Sequence, residues 1–304
     1  MALPDIAVIG AGLMGHGIAF RFAAAGHRVR VQDPDARARA ALSDRVAAIC
    51  DLLGTSRQAV ERISAFAELE PAVEGVDAVF EAAPEKLELK QQLFAALERL
   101  APADAVLASN TSALPISRIA ESVQDKQRVV GTHFWNPPHL VPLVEVVLMS
   151  EANRPSAERA SALLSGVGWH PITCNRDIPG FIGNRLQHAL KREAIALVAA
   201  GICDAETVDD VVKLGFGARL AVLGPLEQSD LVGLDLTRAI HETLMLDLDV
   251  TQTVHPTLEA LVERGDLGMK TGRGFRAWTP EESQAVRKRL NDFLVRQAKS
   301  RSEN

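Results

Sequence analysis

The stretch that decides the fold runs from Ile6 to Asp33 and reads IAVIGAGLMGHGIAFRFAAAGHRVRVQD. Ile6–Ile9 is an uninterrupted apolar run, the pattern of a strand buried on both faces. Gly10, Gly12 and Gly15 follow with the spacing G-x-G-x-x-G, and His16–Ala25 reads as a helix ended by Gly26. A second strand, Arg28–Gln32, closes on Asp33. Set between a strand and a helix, the glycines have separate tasks. Gly10 permits the tight turn, Gly12 lets the backbone approach a pyrophosphate, and Gly15 lets the helix lie close to the sheet. Leu13 and Met14 complete the loop, where unpaired N–H groups and the helix dipole favour phosphate. Asp33 is placed to accept hydrogen bonds from an adenosine ribose and would repel a 2′-phosphate. The expected cofactor is therefore NAD rather than NADP.

Outward from this unit, strands keep alternating with helices. Helical stretches are expected over 36–53 and 56–67, a core strand over Asp77–Glu81, and a helix over Pro84–Leu100. Further strands are expected at Ala105–Ser109, Arg128–His133, Val141–Val147 and His170–Cys174, with a helix at Ser156–Gly166. That alternation predicts a parallel α/β sheet of the Rossmann-type, doubly wound kind. After Asp177-Ile178-Pro179-Gly180 the strands stop. Helices are expected at Asn184–Ala200, Asp204–Leu214, Gly224–Leu246, His255–Arg264 and Glu281–Lys299. The reading is a dinucleotide-binding domain over 1–178, followed by an all-α C-terminal domain over 179–304 for substrate binding and dimerisation. The apolar run Ala194–Ala200 is more than a lone surface helix needs, which points to a homodimer.

Composition narrows the function classes. The net charge of -6 gives no general drive toward nucleic acid or anionic lipid, and no run of 18 apolar residues predicts a membrane span. Three cysteines without a C-x-x-C pair support neither a zinc site nor a disulfide framework, so no metal is expected. Cysteine usage and the lack of a leader pattern fit the cytoplasm. Tyrosine is absent, which removes dehydrogenases that depend on a Tyr–Lys pair.

The densest chemistry lies in GTHFWNPPHLVPLVEVV, residues 131–147. His133 ends a predicted strand, at the sheet edge where ligands bind. Glu145 stands 12 residues later on the next strand. A Glu beside a His would fix the tautomer and support the imidazolium formed on proton transfer.

Eight segments, in order, carry a wider resemblance: GAGLMG (10–15), EAAPEKLELKQ (81–91), SNTSALPIS (109–117), HFWNPP (133–138), LVEVV (143–147), DIPGFIGNR (177–185), GPLEQSDLVGLD (224–235) and KTGRGF (270–275). Together they resemble the 3-hydroxyacyl-CoA dehydrogenase family along nearly the whole chain. The resemblance implies an NAD-dependent dehydrogenase acting on the 3-hydroxyl of a small-molecule substrate. It implies His133 as catalytic base, Glu145 as its orienting partner, and Ser112 beside the substrate hydroxyl. Asn136 and Asn184 would help hold cofactor and substrate, with Asn110, Glu85, Lys90 and Lys270 on the cofactor side.

Two departures point away from a CoA thioester. Residues 34–76 contain no lysine, where acyl-CoA members carry lysines for the CoA phosphates, although Arg37, Arg39, Arg45, Arg57 and Arg62 remain. The segment GFGARLAVLGP (215–225) resembles relatives that oxidise small free hydroxy acids, such as gulonate, carnitine and pyridoxine-breakdown dehydrogenases. There Arg219 would pair with a substrate carboxylate. A free acid is thus favoured over a 3-hydroxyacyl-CoA. The alternative from another class is an NAD-binding structural protein like the family's lens crystallin.

Overall fold

The computed structural model describes residues 3–302. Strand β1 (Ile6–Ile9) takes the middle of the sheet because all four of its residues can be buried. Ile6 and Val8 enter one apolar cluster, and Ala7 and Ile9 enter another on the opposite face. The other strands are β2 (Val29–Gln32), β3 (Ile63–Phe66), β4 (Ala78–Glu81), β5 (Val106–Ser109), β6 (Val129–Phe134), β7 (Leu143–Val147) and β8 (His170–Cys174). Their order is β3-β2-β1-β4-β5-β6-β7-β8. The first six reproduce the dinucleotide-binding order, with the ligand crevice at the carboxyl ends of the strands where the order reverses.

The helices are α1 (Gly15–Ala24), α2 (Ala36–Ala40), α3 (Leu42–Leu53), α4 (Gln58–Glu61), α5 (Leu69–Val73), α6 (Leu87–Leu100), α7 (Ile116–Ile119), α8 (Arg154–Gly166), α9 (Gly183–Ala199), α10 (Ala205–Leu214), α11 (Pro225–Val232), α12 (Leu234–Leu244), α13 (Pro256–Glu263) and α14 (Pro280–Ser302). Helices α1, α3 and α8 cover one face of the sheet, and α5, α6 and α7 the other.

Three expectations need correction. The helix read over 56–67 is one turn, α4, followed by the edge strand β3, which pairs with β2 on one side only. The sheet is not wholly parallel, because β7 runs antiparallel to β6. Eight residues, 135–142, join those strands, too few for the crossover that a parallel pair requires. The expected single helix over 224–246 is divided at Gly233, whose φ of +100° lies in the left-handed region.

Contacts group residues up to Arg185, with Leu290 onward, into one unit, and Leu186–Arg289 into another. The second unit is helical. In it Asp204 caps α10 by accepting from the Thr207 N–H at 2.8 Å. Among its described residues Leu261 is the one buried hydrophobic side chain, while Leu214 (81% exposed), Leu226 (80%) and Leu246 (93%) face outward.

Candidate functional site

The glycine loop has the geometry that a dinucleotide requires. Gly10 has φ +105°, and a Cβ there would meet the Ala82 carbonyl oxygen at 2.7 Å. A Cβ on Gly15 would land on the Gly10 carbonyl, whereas one on Gly12 would meet nothing within 4 Å. The loop is therefore tight where it meets the sheet and open where a phosphate approaches. Met14 occupies the N-cap of α1 without a side-chain cap, and the first turn holds no acidic residue, so the positive end of the helix is open to an anion. Leu13 is 65% exposed at the loop tip. The Asp33 carboxylate braces the loop by accepting from the Ala11 N–H at 2.8 Å, and accepts from the Asp35 N–H at 2.9 Å. Arg45 donates to the Ala11 carbonyl at 3.0 Å. These residues fit the dinucleotide.

The His–Glu spacing has a simple structural basis. In the β6–β7 register His133 stands directly opposite Glu145. His133 Nδ1 lies 2.7 Å from Glu145 Oε2. Their burial is nearly complete, with His133 4% and Glu145 0% exposed. The other carboxylate oxygen, Oε1, accepts from the Ile182 and Gly183 N–H groups at 2.9 and 3.0 Å, at the start of α9. Burial alone would raise the Glu145 carboxyl, but the His133 hydrogen bond and the two backbone donors outweigh it and hold the group below its usual range. Because the carboxylate accepts, Nδ1 must donate, which leaves Nε2 as the basic nitrogen.

The His133 ring sits between Trp135 and Phe181, at centroid distances of 5.4 and 5.7 Å. Phe181 is fully buried with φ +51°, a backbone conformation costly for a bulky residue, next to the donors that hold Glu145. A Cβ on Gly183 would fall inside the Trp135 indole, so the glycine is what lets the indole lie there.

A separate set of hydrogen bonds holds several of the other expected residues. Asn184 Nδ2 donates to the carbonyl of exposed Ser112 at 2.9 Å. The Ser112 N–H donates to Glu85 Oε1 at 3.0 Å, and the Thr111 hydroxyl donates to the same oxygen. Asn110 Oδ1 accepts from the Phe134 N–H at 3.0 Å and so ties the end of β5 to β6. The Glu85 carboxyl would be raised by burial, yet Thr111, Lys90 and the Ser112 and Ala113 amides hold it below its usual range.

Lys90 differs from its expected place. It has no exposed surface and donates to Glu81 Oε1 at 2.7 Å, with Glu85 Oε2 at 3.4 Å. Enclosed in this way, it reaches the crevice through Glu85 and not by touching a ligand. Asn136 is exposed two residues beyond β6 and has no hydrogen bond to the dyad. Arg219 and Lys270 are both exposed in the second unit, Arg219 at the end of the 3-10 turn Phe216–Arg219.

Several contributors escaped the sequence reading. Glu81, wholly buried at the end of β4, accepts from Lys90, from the Ser109 hydroxyl at 2.6 Å and from the Ala83 N–H at 2.7 Å. Asp177 accepts from the Ile116 and Ser117 N–H groups at 3.0 and 2.7 Å and pins the start of α7. The available signal was a charged or polar residue closing an apolar strand, as in AVFE and VLAS.

Residues 5–178 match the model of the 3-hydroxyacyl-CoA dehydrogenase NAD binding domain, and residues 180–278 match that of the 3-hydroxyacyl-CoA dehydrogenase C-terminal domain. The chain belongs to the 3-hydroxyacyl-CoA dehydrogenase family. Relatives of this family member include a probable 3-hydroxybutyryl-CoA dehydrogenase of Bacillus subtilis, 37% identical over 284 residues, covering 90% of this chain and 97% of the relative. An L-carnitine dehydrogenase of Streptomyces griseus is 38% identical over 232 residues, covering 75% and 69%. Among solved structures, 5-formyl-3-hydroxy-2-methylpyridine 4-carboxylic acid 5-dehydrogenase, an NAD+-dependent dismutase, superposes with a TM-score of 0.89 at 30% identity, covering 99% of each chain. As a member of the 3-hydroxyacyl-CoA dehydrogenase family, the protein is an NAD-dependent oxidoreductase with a small-molecule substrate. No helix among its described residues is long and apolar enough to cross a membrane.

Proposed function

We propose that the protein oxidises the 3-hydroxyl of a small free hydroxy acid to a ketone, with His133 as general base. The observation that carries this reading is the buried His133–Glu145 pair, joined at 2.7 Å through Nδ1. Neutral His133 takes the hydroxyl proton on Nε2. Glu145 stays ionised, since two backbone donors hold its far oxygen, and it supports the imidazolium without itself taking the proton. NAD, when bound, supplies the hydride acceptor. Ser112 presents its hydroxyl to the substrate oxygen. Asn184, held by the Ser112 carbonyl, keeps its amide oxygen for the same region.

The preference for a free acid rests on the lysine-free segment and on the relatives. Four of the five arginines in that segment are engaged within the chain: Arg39 with the Asp33 carbonyl, Arg45 with Ala11, Arg57 with Asp51, and Arg62 with Ala23. Fewer cations are therefore left for CoA phosphates. A pyridine carboxylic acid and carnitine, named for two of the relatives above, are small acids. Arg219 is the proposed partner of the substrate carboxylate. The test is kcat/KM for 3-hydroxybutyryl-CoA beside a set of free 3-hydroxy acids. At least one free acid should exceed the thioester, and a thioester value well above every free acid would overturn the assignment.

The second unit supports a homodimer. Leu214, Leu226 and Leu246 lie on helices or turns that bury almost no apolar surface of their own, and a twin subunit is the occupant that would remove them from water. Sedimentation at micromolar concentration should show a dimer; a monomer alone would contradict it.

A further inference from the structure

On the sheet face carrying α1 and α8, a cleft of about 240 Å³ is lined by Arg21, His139, Leu140, Pro142, Val167 and Arg301, among others. A neighbouring lobe of about 580 Å³ shares Arg21, His139 and Val167 and adds apolar walls from Phe20, Ala24 and Leu53. All of these residues belong to the first unit. Arg301 comes from the end of α14, beyond residue 278 where the match to the family's C-terminal domain stops.

Two guanidinium groups and an imidazole meet here, with Lys299 on the neighbouring lobe, and no carboxylate stands among the described lining residues. Arg21 Nε and His139 Nδ1 are buried without a hydrogen-bond partner. The Arg21 guanidinium lies 5.4 Å from the Trp169 ring centre, and Arg301 Nη2 donates to the Leu140 carbonyl at 2.6 Å. Burial, and then Arg301, hold the Arg21 guanidinium below its usual range, and burial lowers Arg301 too. His139 is pushed down to about 4, first by burial and then by His16 and Arg21. Cations crowded into a partly desolvated cleft repel one another, and an orphaned donor is costly. An anion between them relieves the repulsion, through charge-assisted hydrogen bonds to the guanidinium groups. The remaining wall is mostly apolar, so the anion that fits carries an apolar body.

We propose that this cleft is a binding site for a small carboxylate with an apolar body, its head group between Arg21 and Arg301.

The probes are hexanoate and inorganic phosphate. The chain has three tryptophans, so in a Trp135→Phe, Trp278→Phe background only Trp169, beneath Arg21, emits. Hexanoate should change that emission saturably and bind more tightly than phosphate. Arg301→Gln, at an exposed position near the chain end, should keep the melting temperature and weaken hexanoate about tenfold or more, the scale of one charge-assisted bond. Arg21→Gln should weaken hexanoate to a similar degree. His133→Ala and removal of residues 303 and 304 should leave the titration unchanged. The proposal is overturned if Arg301→Gln binds hexanoate as the parent does, if phosphate binds more tightly, or if no saturable change occurs. It also fails if His133→Ala abolishes the change, which would place hexanoate at the dyad. A response seen only after removing residues 303 and 304 would make the chain's own terminus the occupant.

Discussion

Two buried carboxylates lie in the same sheet, and they do different work. Glu81 ends β4 and Glu145 lies on β7, each without exposed surface. Glu81 is matched by the Lys90 amine at 2.7 Å, together with Ser109 and Ala83. Glu145 is matched by His133, which is charged only when protonated, and by two backbone donors. The first cluster is electrostatically closed and can hold a loop in place. The second contains an imidazole, which can serve as a neutral base or as a cation, and proton transfer requires such a group. Burial and short contacts alone do not separate a structural ion pair from a chemical one; the nature of the cation does.

The comparison can be broken most directly at His133. His133→Ala should lower kcat by about 10²–10⁴-fold, the usual worth of general-base help, while NADH binding measured by fluorescence persists. Near-normal turnover with the best substrate would make the two clusters alike.

Lys90→Met should do the opposite, lowering stability more than chemistry. It leaves Glu81 buried without its counter-charge, a loss of about 3–5 kcal/mol in urea unfolding. Lys90→Met with Glu81→Leu should recover most of that loss, since removing both charges leaves no unpaired ion. A double variant no more stable than the single would show that the pair is not the reason.

Glu145→Gln sharpens the contrast with a smaller effect. An amide supports the imidazolium less than a carboxylate does, so the acid limb of the pH–rate profile should move to lower pH. Stability should respond as well. The Glu145 carboxyl is lowered by its partners, so its contribution is full above the ordinary carboxylate range and is lost as pH falls through its lowered value. The variant should therefore lose less stability than the parent on acidification below about pH 5. An unchanged profile in both measurements would make Glu145 a spectator.

Much of this was legible in the residues. The run Ile6–Gly15 specifies β1, the glycine turn and α1 because each position has one local task, and those tasks agree. The strand β3 was not legible, since ISAF is half exposed at the sheet edge and carries no apolar run to mark it. The direction of β7 was missed although the short connection argued for it; alternation of side chains shows that a strand exists and not which way it runs. With that direction in hand, the pairing of positions 133 and 145 follows from the hairpin register. The Glu81–Lys90 cluster was half legible: the lysine stood out, but its carboxylate sat inside what reads as an ordinary core strand.

The antiparallel ladder between β6 and β7 sets the alignment of base and orienter by backbone register. His133 and Glu145 face each other because the backbones beside them are hydrogen-bonded in register, and a slip by one residue would send their side chains to opposite faces. Trp135, the first residue of the connecting segment, packs against the His133 ring at 5.4 Å, so the turn that joins the two strands also walls the base it follows.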